Sequence, residues 1–271
     1  MDHKMSKNET YIQSNKEAWS KLAKDHYLHF MALIKNKNLH LNPIVEKELG
    51  DLKGKKILHL QCNTGADSIA LALKGALVTG VDLVPENIHY AKELAKIANV
   101  NCQFIASDVL KLKSVLNDSF DIVLTTDGVL GWIPDLISWG DIVHHFLNDD
   151  GFLYVHDGHP FMMIFDENDL DDGKLSPKYP YFKKTPDLDP YIGGYASQAV
   201  KADNYYWGHQ MEDLLNGLIY NNLYLTYFKE YDYCIPGMGG NQTNADGFSY
   251  YPKLKGALPL VYSLKARKLK V

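Results

Sequence analysis

Between Lys55 and Asp157 the chain alternates five short apolar runs with segments of helical period, and that alternation leaves few folds open. The apolar runs are KILHLQ, ALVTGVD, CQFIA, FDIVLTT and GFLYVHD. ADSIALALK and PENIHYAKELAKIA separate the first three, and a helix from Asp135 to Leu147 precedes the fifth. Strands that alternate with helices pair in parallel through crossover helices, which implies an open α/β sheet. The scarcity of charge within the runs agrees with a sheet covered on both faces. Pro85 suits the first turn of its helix, where a missing N–H costs nothing, and Ile88, Ala91, Ala95 and Ala98 mark the buried side. Leu136, Trp139, Val143 and Phe146 do the same for the later helix, and NDDG (148–151) reads as a turn into the fifth strand.

Four regions follow from the pattern. Residues 1–50 form an N-terminal helical cap, with Ala18, Trp19, Leu22, Ala23 and Tyr27 on one face of a helix spanning 15–34. Residues 51–160 form the α/β core. Residues 161–208 begin acidic and become rich in rings (Tyr179, Tyr181, Phe182, Tyr191, Tyr195, Tyr205, Tyr206, Trp207), a density that points to a covering element. That element is either a lid over a substrate, a dimer interface or a hairpin packed on the sheet. Residues 209–271 supply a helix (HQMEDLLNGLIYNN), a strand (LYLTYFKEYDY), a glycine-rich loop (PGMGGNQTNADG) that is a gate or a plain surface loop, and a last strand, PLVYSLKARK.

Composition removes several function classes. Of 28 basic residues only Arg267 is an arginine, so forked recognition of phosphates or base edges is almost unavailable and nucleic acid is not expected as a partner. Cys62, Cys102 and Cys234 are widely spaced and form no CxxC pair, which fits a reducing cytoplasm and suggests no metal. No run approaches the roughly 20 apolar residues of a membrane span, and the polar start MDHKMSKNETY lacks the apolar core of a signal peptide. A cytoplasmic monomer or homodimer is expected.

In an open α/β sheet, ligands sit beyond the carboxyl ends of the strands. Those ends carry Gln61-Cys62-Asn63-Thr64-Gly65, then Asp82, then Asp108, then Thr125-Thr126-Asp127-Gly128. Asp82 stands where a nucleoside ribose offers two hydroxyls, a placement that suits NAD as well as other nucleosides. Asp108 is placed to accept from the exocyclic amine of a purine, or else simply caps the helix that follows. His156, Asp157 and His159 follow the fifth strand and His209 opens a later helix. Each histidine is either a general base or a hydrogen-bonded structural residue.

At these residues the chain resembles the class I S-adenosylmethionine-dependent methyltransferases, in particular their small-molecule group. ILHLQCNTG, VTGVDLVPENIHYAKELA, FIASDVL and the stretch from FDIVLTTDG to HDGHPF carry the resemblance, over residues 50–160. It implies a Rossmann-like seven-stranded sheet, mostly parallel, with the last strand antiparallel and an α+β cap inserted in the C-terminal half. It also implies S-adenosylmethionine as cofactor, S-adenosylhomocysteine as product, and a small-molecule acceptor. Asp82 with Leu83 would then hold the ribose and Asp108 with Val109 the adenine. Thr126, Asp127 and Gly128 would face the sulfonium and methionine end, and Gln61, Cys62, Asn63 and Gly65 would form the loop. That loop usually reads acid-x-Gly-x-Gly-x-Gly, whereas here His59, Gln61 and Asn63 stand at the acid and the first two glycines. Asn63 tolerates a left-handed backbone, while Gln61 is expected to keep a negative φ in a turn that still approaches the ligand. With the acid gone, the resemblance implies that backbone carbonyls near Gln61, with Trp19 and Tyr27 of the leading helix, hold the amino group; the alternative for Trp19 and Tyr27 is packing in the core.

TTDG stands where amino-methylating enzymes of DNA and protein glutamine carry an Asp/Asn-Pro-Pro-aromatic tetrad, and no Pro-Cys pair suits attack on pyrimidine C6. The absence of GxGxxG and the presence of Asp108 speak against an NAD oxidoreductase. The altered loop keeps a non-catalytic scaffold as the other alternative.

Overall fold

The computed structural model describes residues 5–194 and 196–269; Tyr195 and the first four residues of the polar start lie outside them. A long helix, α1 (Lys7–Lys35), opens the chain. It begins before the expected residue 15 because Ser6 and Glu9 form a capping box, Ser6 Oγ accepting from Glu9 N–H and Glu9 accepting from Ser6 N–H. After α2 (Pro43–Leu49), strand and helix alternate: β1 (Lys56–Leu60), α3 (Ala66–Leu73), β2 (Leu77–Asp82), α4 (Pro85–Ala98), β3 (Cys102–Ala106) and β4 (Phe120–Thr126). Next come α5 (Leu136–Phe146) and β5 (Leu147–Gly158). Where a helix was expected from Asp108, only a short 3-10 turn (Val109–Ser114) forms.

Later elements are α6 (Glu167–Asp171), a hairpin of β6 (Asp187–Gly194) and β7 (Ser197–Tyr206), then α7 (Met211–Ile219) and β8 (Leu223–Tyr231). A small ribbon of β9 (Gln242–Thr243) and β10 (Ser249–Tyr250) precedes β11 (Val261–Lys268). Seven strands form one sheet in the order β3-β2-β1-β4-β5-β11-β8, and β11 is antiparallel to both neighbours, as the family resemblance implies for the last strand. The strand order reverses between β1 and β4, the switch point at which such sheets bind ligands.

Alternation along β1 assigns its side chains to two faces. Leu58 and Leu60 join Val123, Trp139, Phe146 and Leu218 in the core under α5 and α7. Ile57 joins Leu49, Leu71, Leu124 and Tyr154 on the other face, and His59 shares that side. In α4 Ile88, Ala91 and Ala95 are buried as expected, with Asn87 and Leu94 beside them.

One turn is corrected. NDDG continues the strand: β5 runs directly out of α5, and its pairing slips from Phe120↔Leu147 to Ile122↔Phe152. Asn148 Nδ2 donates to Asp121 Oδ1 at 3.0 Å and Arg267 donates to Asp150 O at 2.6 Å, so polar contacts hold the irregular segment against its neighbours.

The ring-rich hairpin lies against α1. Asn15, buried on α1, donates to Tyr205 O at 2.8 Å and accepts from Tyr205 N–H at 2.6 Å, which satisfies both halves of its amide. Tyr205 packs on Tyr11 with ring centroids 4.2 Å apart. No helix among the described residues is long and apolar enough to cross a membrane.

Candidate active site

The carboxyl ends of β1, β2, β3 and β4 open on a cavity of about 690 Å³. Its floor is the turn from β1 into α3. Gln61, Asn63 and Gly65 all take left-handed backbone conformations there, with φ of 56°, 50° and 78°. The expected negative φ at Gln61 is therefore corrected. The chain must reverse within this turn, and Gln61 is held in it by its side chain, whose Nε2 donates to Val129 O at 2.8 Å. A left-handed non-glycine residue costs about 1–2 kcal/mol, which one such hydrogen bond offsets in part. At Gly65 a side chain is excluded twice: a Cβ would lie 2.8 Å from the Phe104 ring, and φ is left-handed.

Asp82, at the end of β2, ties this turn to the start of α4. Its Oδ2 accepts from Asn63 N–H at 2.8 Å and its Oδ1 accepts from Val84 N–H and Asn87 Nδ2, both at 3.0 Å. Burial pushes its carboxyl upward while the three donors hold it down, and burial prevails. Leu83, Asp108 and Val109 line the cavity next to it. Asp108 also caps the 3-10 turn, accepting from Leu110 N–H at 3.0 Å.

At the opposite end Asp127 faces the cavity. His156 Nδ1 hydrogen-bonds its Oδ1 from behind, and Asn42 Nδ2 donates to its Oδ2 at 3.1 Å. Burial alone would lower the His156 imidazole, but the adjacent Asp127 charge and hydrogen bond raise it above its ordinary value. Asp157 is consumed by the backbone: its Oδ1 accepts from Gly128 and Gly158 N–H at 2.7 Å and its Oδ2 from Leu130 N–H at 3.1 Å, which fixes the loop after β4. His59, at the position of the usual acid, is fully enclosed, pairs through Nδ1 with Ser68 Oγ at 2.8 Å, and is pushed down to about 4 by burial.

The remaining expected residues divide. Trp19, Cys62, Thr126 and Gly128 line the cavity. Tyr27 stacks on Tyr90 with ring centroids 4.7 Å apart, in the packing of α1 on α4 and away from the cavity lining. Neither His159, paired with Glu230 at 3.0 Å, nor His209, whose Nε2 bonds Ile133 O at 2.7 Å, lines the cavity; burial lowers both imidazoles. His156 reaches the cavity only through Asp127. Of the hairpin rings Tyr206 lines the cavity, while Tyr205 and Trp207 pack on Tyr11.

Several lining residues escaped the sequence reading: Asp67, Asn87, His40, Asn42, Met162 and Met163. Asp67 was detectable as the one acid just after Gly65. The methionines carried no signal, because their approach depends on how the segment after β5 folds back. The glycine-rich loop contributes Pro236, Gly237 and Met238 to the wall, and Ile235 just before it joins them.

A sequence profile described as a methyltransferase domain matches residues 51–212, more than half of the chain. The chain belongs to that methyltransferase family. Its sheet is that of class I, S-adenosylmethionine-dependent methyltransferases, and it superposes on DhpI, solved as a complex with S-adenosylhomocysteine, with a TM-score of 0.55 at 14% identity, covering 95% of this chain and 97% of that one. Among curated relatives, a ubiquinone biosynthesis O-methyltransferase of Glaesserella parasuis is 30% identical over 128 residues, 44% of this chain and 54% of its own. An uncharacterized RNA methyltransferase of Clostridium acetobutylicum is 35% identical over 92 residues, 34% of this chain and 20% of its own. The chain thus spans between a fifth and about half of the length of these relatives.

The cavity suits the family's cofactor. Three polar atoms of its lining residues, Gln61 Oε1, Thr64 Oγ1 and Asn87 Oδ1, are buried with no hydrogen-bond partner among the described residues. They belong to the loop and to the helix turn beside Asp82, where a ribose and an amino-acid end would supply donors and acceptors.

Proposed function

We propose that this methyltransferase moves the methyl group of S-adenosylmethionine to a small, ring-bearing or apolar molecule that is not an anion. The observation that carries this reading is that one cavity is lined both by Asp82 and Asp108 and by Trp19, Trp132, Met162, Met163 and Tyr206, with no lysine or arginine among the described residues of its lining. A pocket of this size and apolar wall suits a small ligand. An RNA or DNA strand would ask for cations along its phosphates.

Asp82 and Asn87 would receive the ribose hydroxyls, Asp108 the adenine amine, and the β1–α3 turn the methionine end. S-adenosylmethionine supplies there an electrophilic methyl group on a sulfonium. The chain's part is to align the acceptor and keep water away, which accounts for most of the acceleration in a displacement of this kind. Trp132 packs edge-on against both Trp19 and Tyr206, with centroids 5.3 Å apart in each case, and so joins the hairpin to α1 across the cavity. Where the acceptor must lose a proton, Asp127 is the cavity-facing group placed to take it, with its carboxyl group oriented by the hydrogen bond from His156. The left-handed backbone retained at Gln61 and Asn63 favours this reading over a scaffold with a disabled loop. Free cysteines at 62, 102 and 234 suit a cytoplasmic setting.

The test is methyl transfer from labelled S-adenosylmethionine to a panel of neutral and cationic ring-bearing metabolites, with total RNA and bulk protein as parallel acceptors. Label in small molecules supports the reading. Label confined to RNA or protein would overturn its acceptor half.

A further inference from the structure

We propose that Asp67 replaces the missing acid at position 59 and binds the ammonium group of the cofactor's methionine end. The inference rests on the cofactor assignment above and concerns which residue reads that end.

The usual acid position offers no charge here. His59 is neutral, its Nδ1 engaged with Ser68 and its Nε2 3.5 Å from Thr126 Oγ1. The other carboxylates of the cavity are already engaged: Asp82 and Asp157 each by three donors, Asp108 by Leu110 N–H, Asp127 by His156 and Asn42. Asp67 lines the same cavity, half-buried, and no hydrogen bond or ion pair among the described residues engages it. No lysine or arginine stands in the lining among the described residues, so a cationic ligand group would supply the counter-charge that the carboxylate lacks.

The same turn offers the complementary half. Asp67 sits in the first turn of α3, whose N-cap, Gly65, provides no side-chain acceptor for the N–H groups that open the helix. Thr64, one residue earlier, is fully buried with its Oγ1 unpartnered. Unsatisfied N–H groups at a helix N-terminus favour a carboxylate, so carboxylate and ammonium of one amino-acid group find partners within one turn. Enclosure raises the Asp67 carboxyl to about 7, with the Asp127 charge adding to the rise and His156 opposing it. An arriving ammonium therefore expels a proton near neutrality.

The test compares S-adenosylhomocysteine, which carries the amino-acid end, with 5′-methylthioadenosine, which lacks it, by calorimetric titration of wild type, Asp67→Asn and Asp67→Glu. Asp67→Asn should weaken S-adenosylhomocysteine at least tenfold and leave 5′-methylthioadenosine unchanged, and Asp67→Glu should recover part of the loss. Wild type should release a fraction of a proton on binding S-adenosylhomocysteine at pH 7, read by repeating the titration in two buffers of different ionisation enthalpy, and Asp67→Asn should release none. Unchanged S-adenosylhomocysteine affinity, or equal weakening of both ligands, overturns the inference while the cofactor assignment stands. Failure of both nucleosides to bind wild type overturns the cofactor assignment and this inference with it.

Discussion

Asp82 Oδ2 accepts a hydrogen bond from Asn63 N–H at 2.8 Å, and that contact ties the end of the second strand to the turn that follows the first. The carboxylate thus holds the loop in its left-handed form from the side on which a nucleoside would lie. The residue proposed to read the ribose is thus also one that shapes the loop.

Asp82→Ala removes the acceptor for Asn63, Val84 and Asn87 as well as the proposed ribose contacts. Charge-assisted hydrogen bonds contribute about 1.5–3 kcal/mol each, so cofactor affinity should fall at least tenfold. Titration with S-adenosylhomocysteine checks this, and far-ultraviolet circular dichroism should show the fold intact.

The turn itself makes a stability prediction. Gly65→Ala meets Phe104 and Ala91 at 2.8 and 2.9 Å and forces a side chain into a left-handed backbone, which together should destabilise the protein by a few kcal/mol. Gln61→Gly should change stability by less than about 1 kcal/mol, because relief of strain, loss of the Val129 contact and a more flexible unfolded chain nearly cancel. Gln61→Val, β-branched at positive φ, should be clearly destabilising. Urea unfolding of the three variants decides the order.

The alternating strands and helices, and the place of Asp82 and Asp108 at strand ends that line the cavity, were legible because strands, caps and acidic strand ends depend on local pattern. The antiparallel last strand followed from the family resemblance. Besides the cavity methionines, three features were not legible. The sign of φ at Gln61 depends on Val129, 68 residues away, whose carbonyl holds the side chain. The role of NDDG depends on Asp121 and Arg267 in other strands. Which hairpin ring reaches the cavity depends on α1: Asn15 grips the backbone of Tyr205 while the neighbouring Tyr206 lines the cavity, a choice that ring density alone cannot make.

His59 gives a pH signature. Its folded value of about 4 lies below the ordinary 6.5, so above pH 6.5 it is neutral in folded and unfolded chains alike and contributes no pH dependence. As pH falls from 6.5 towards 4 the unfolded chain binds the proton first, and the residue becomes destabilising by up to about 3 kcal/mol. Asp67, raised to about 7, acts in the opposite sense over much of that window, so the comparison is wild type against His59→Gln, in which the Asp67 part is shared. The variant should gain stability relative to wild type on acidification from pH 7 to 4.5, read as urea midpoints at both pH values.

Tyr206 packs over Gly131 and lines the cavity beside Met163. Tyr206→Ala should raise the KM for the acceptor roughly tenfold and leave cofactor affinity unchanged, whereas Trp207→Ala, whose ring lies on Tyr11, should lower the melting temperature without altering acceptor KM. Steady-state kinetics with the acceptor identified by label transfer, together with thermal melts, distinguishes the two.

The most direct test of the account is calorimetric titration of the purified protein with S-adenosylmethionine and S-adenosylhomocysteine, with NADH as control. Both sulfur nucleosides should bind saturably in the micromolar range, about −8 kcal/mol, and NADH should not bind. Binding of NADH with no response to either sulfur nucleoside would contradict it.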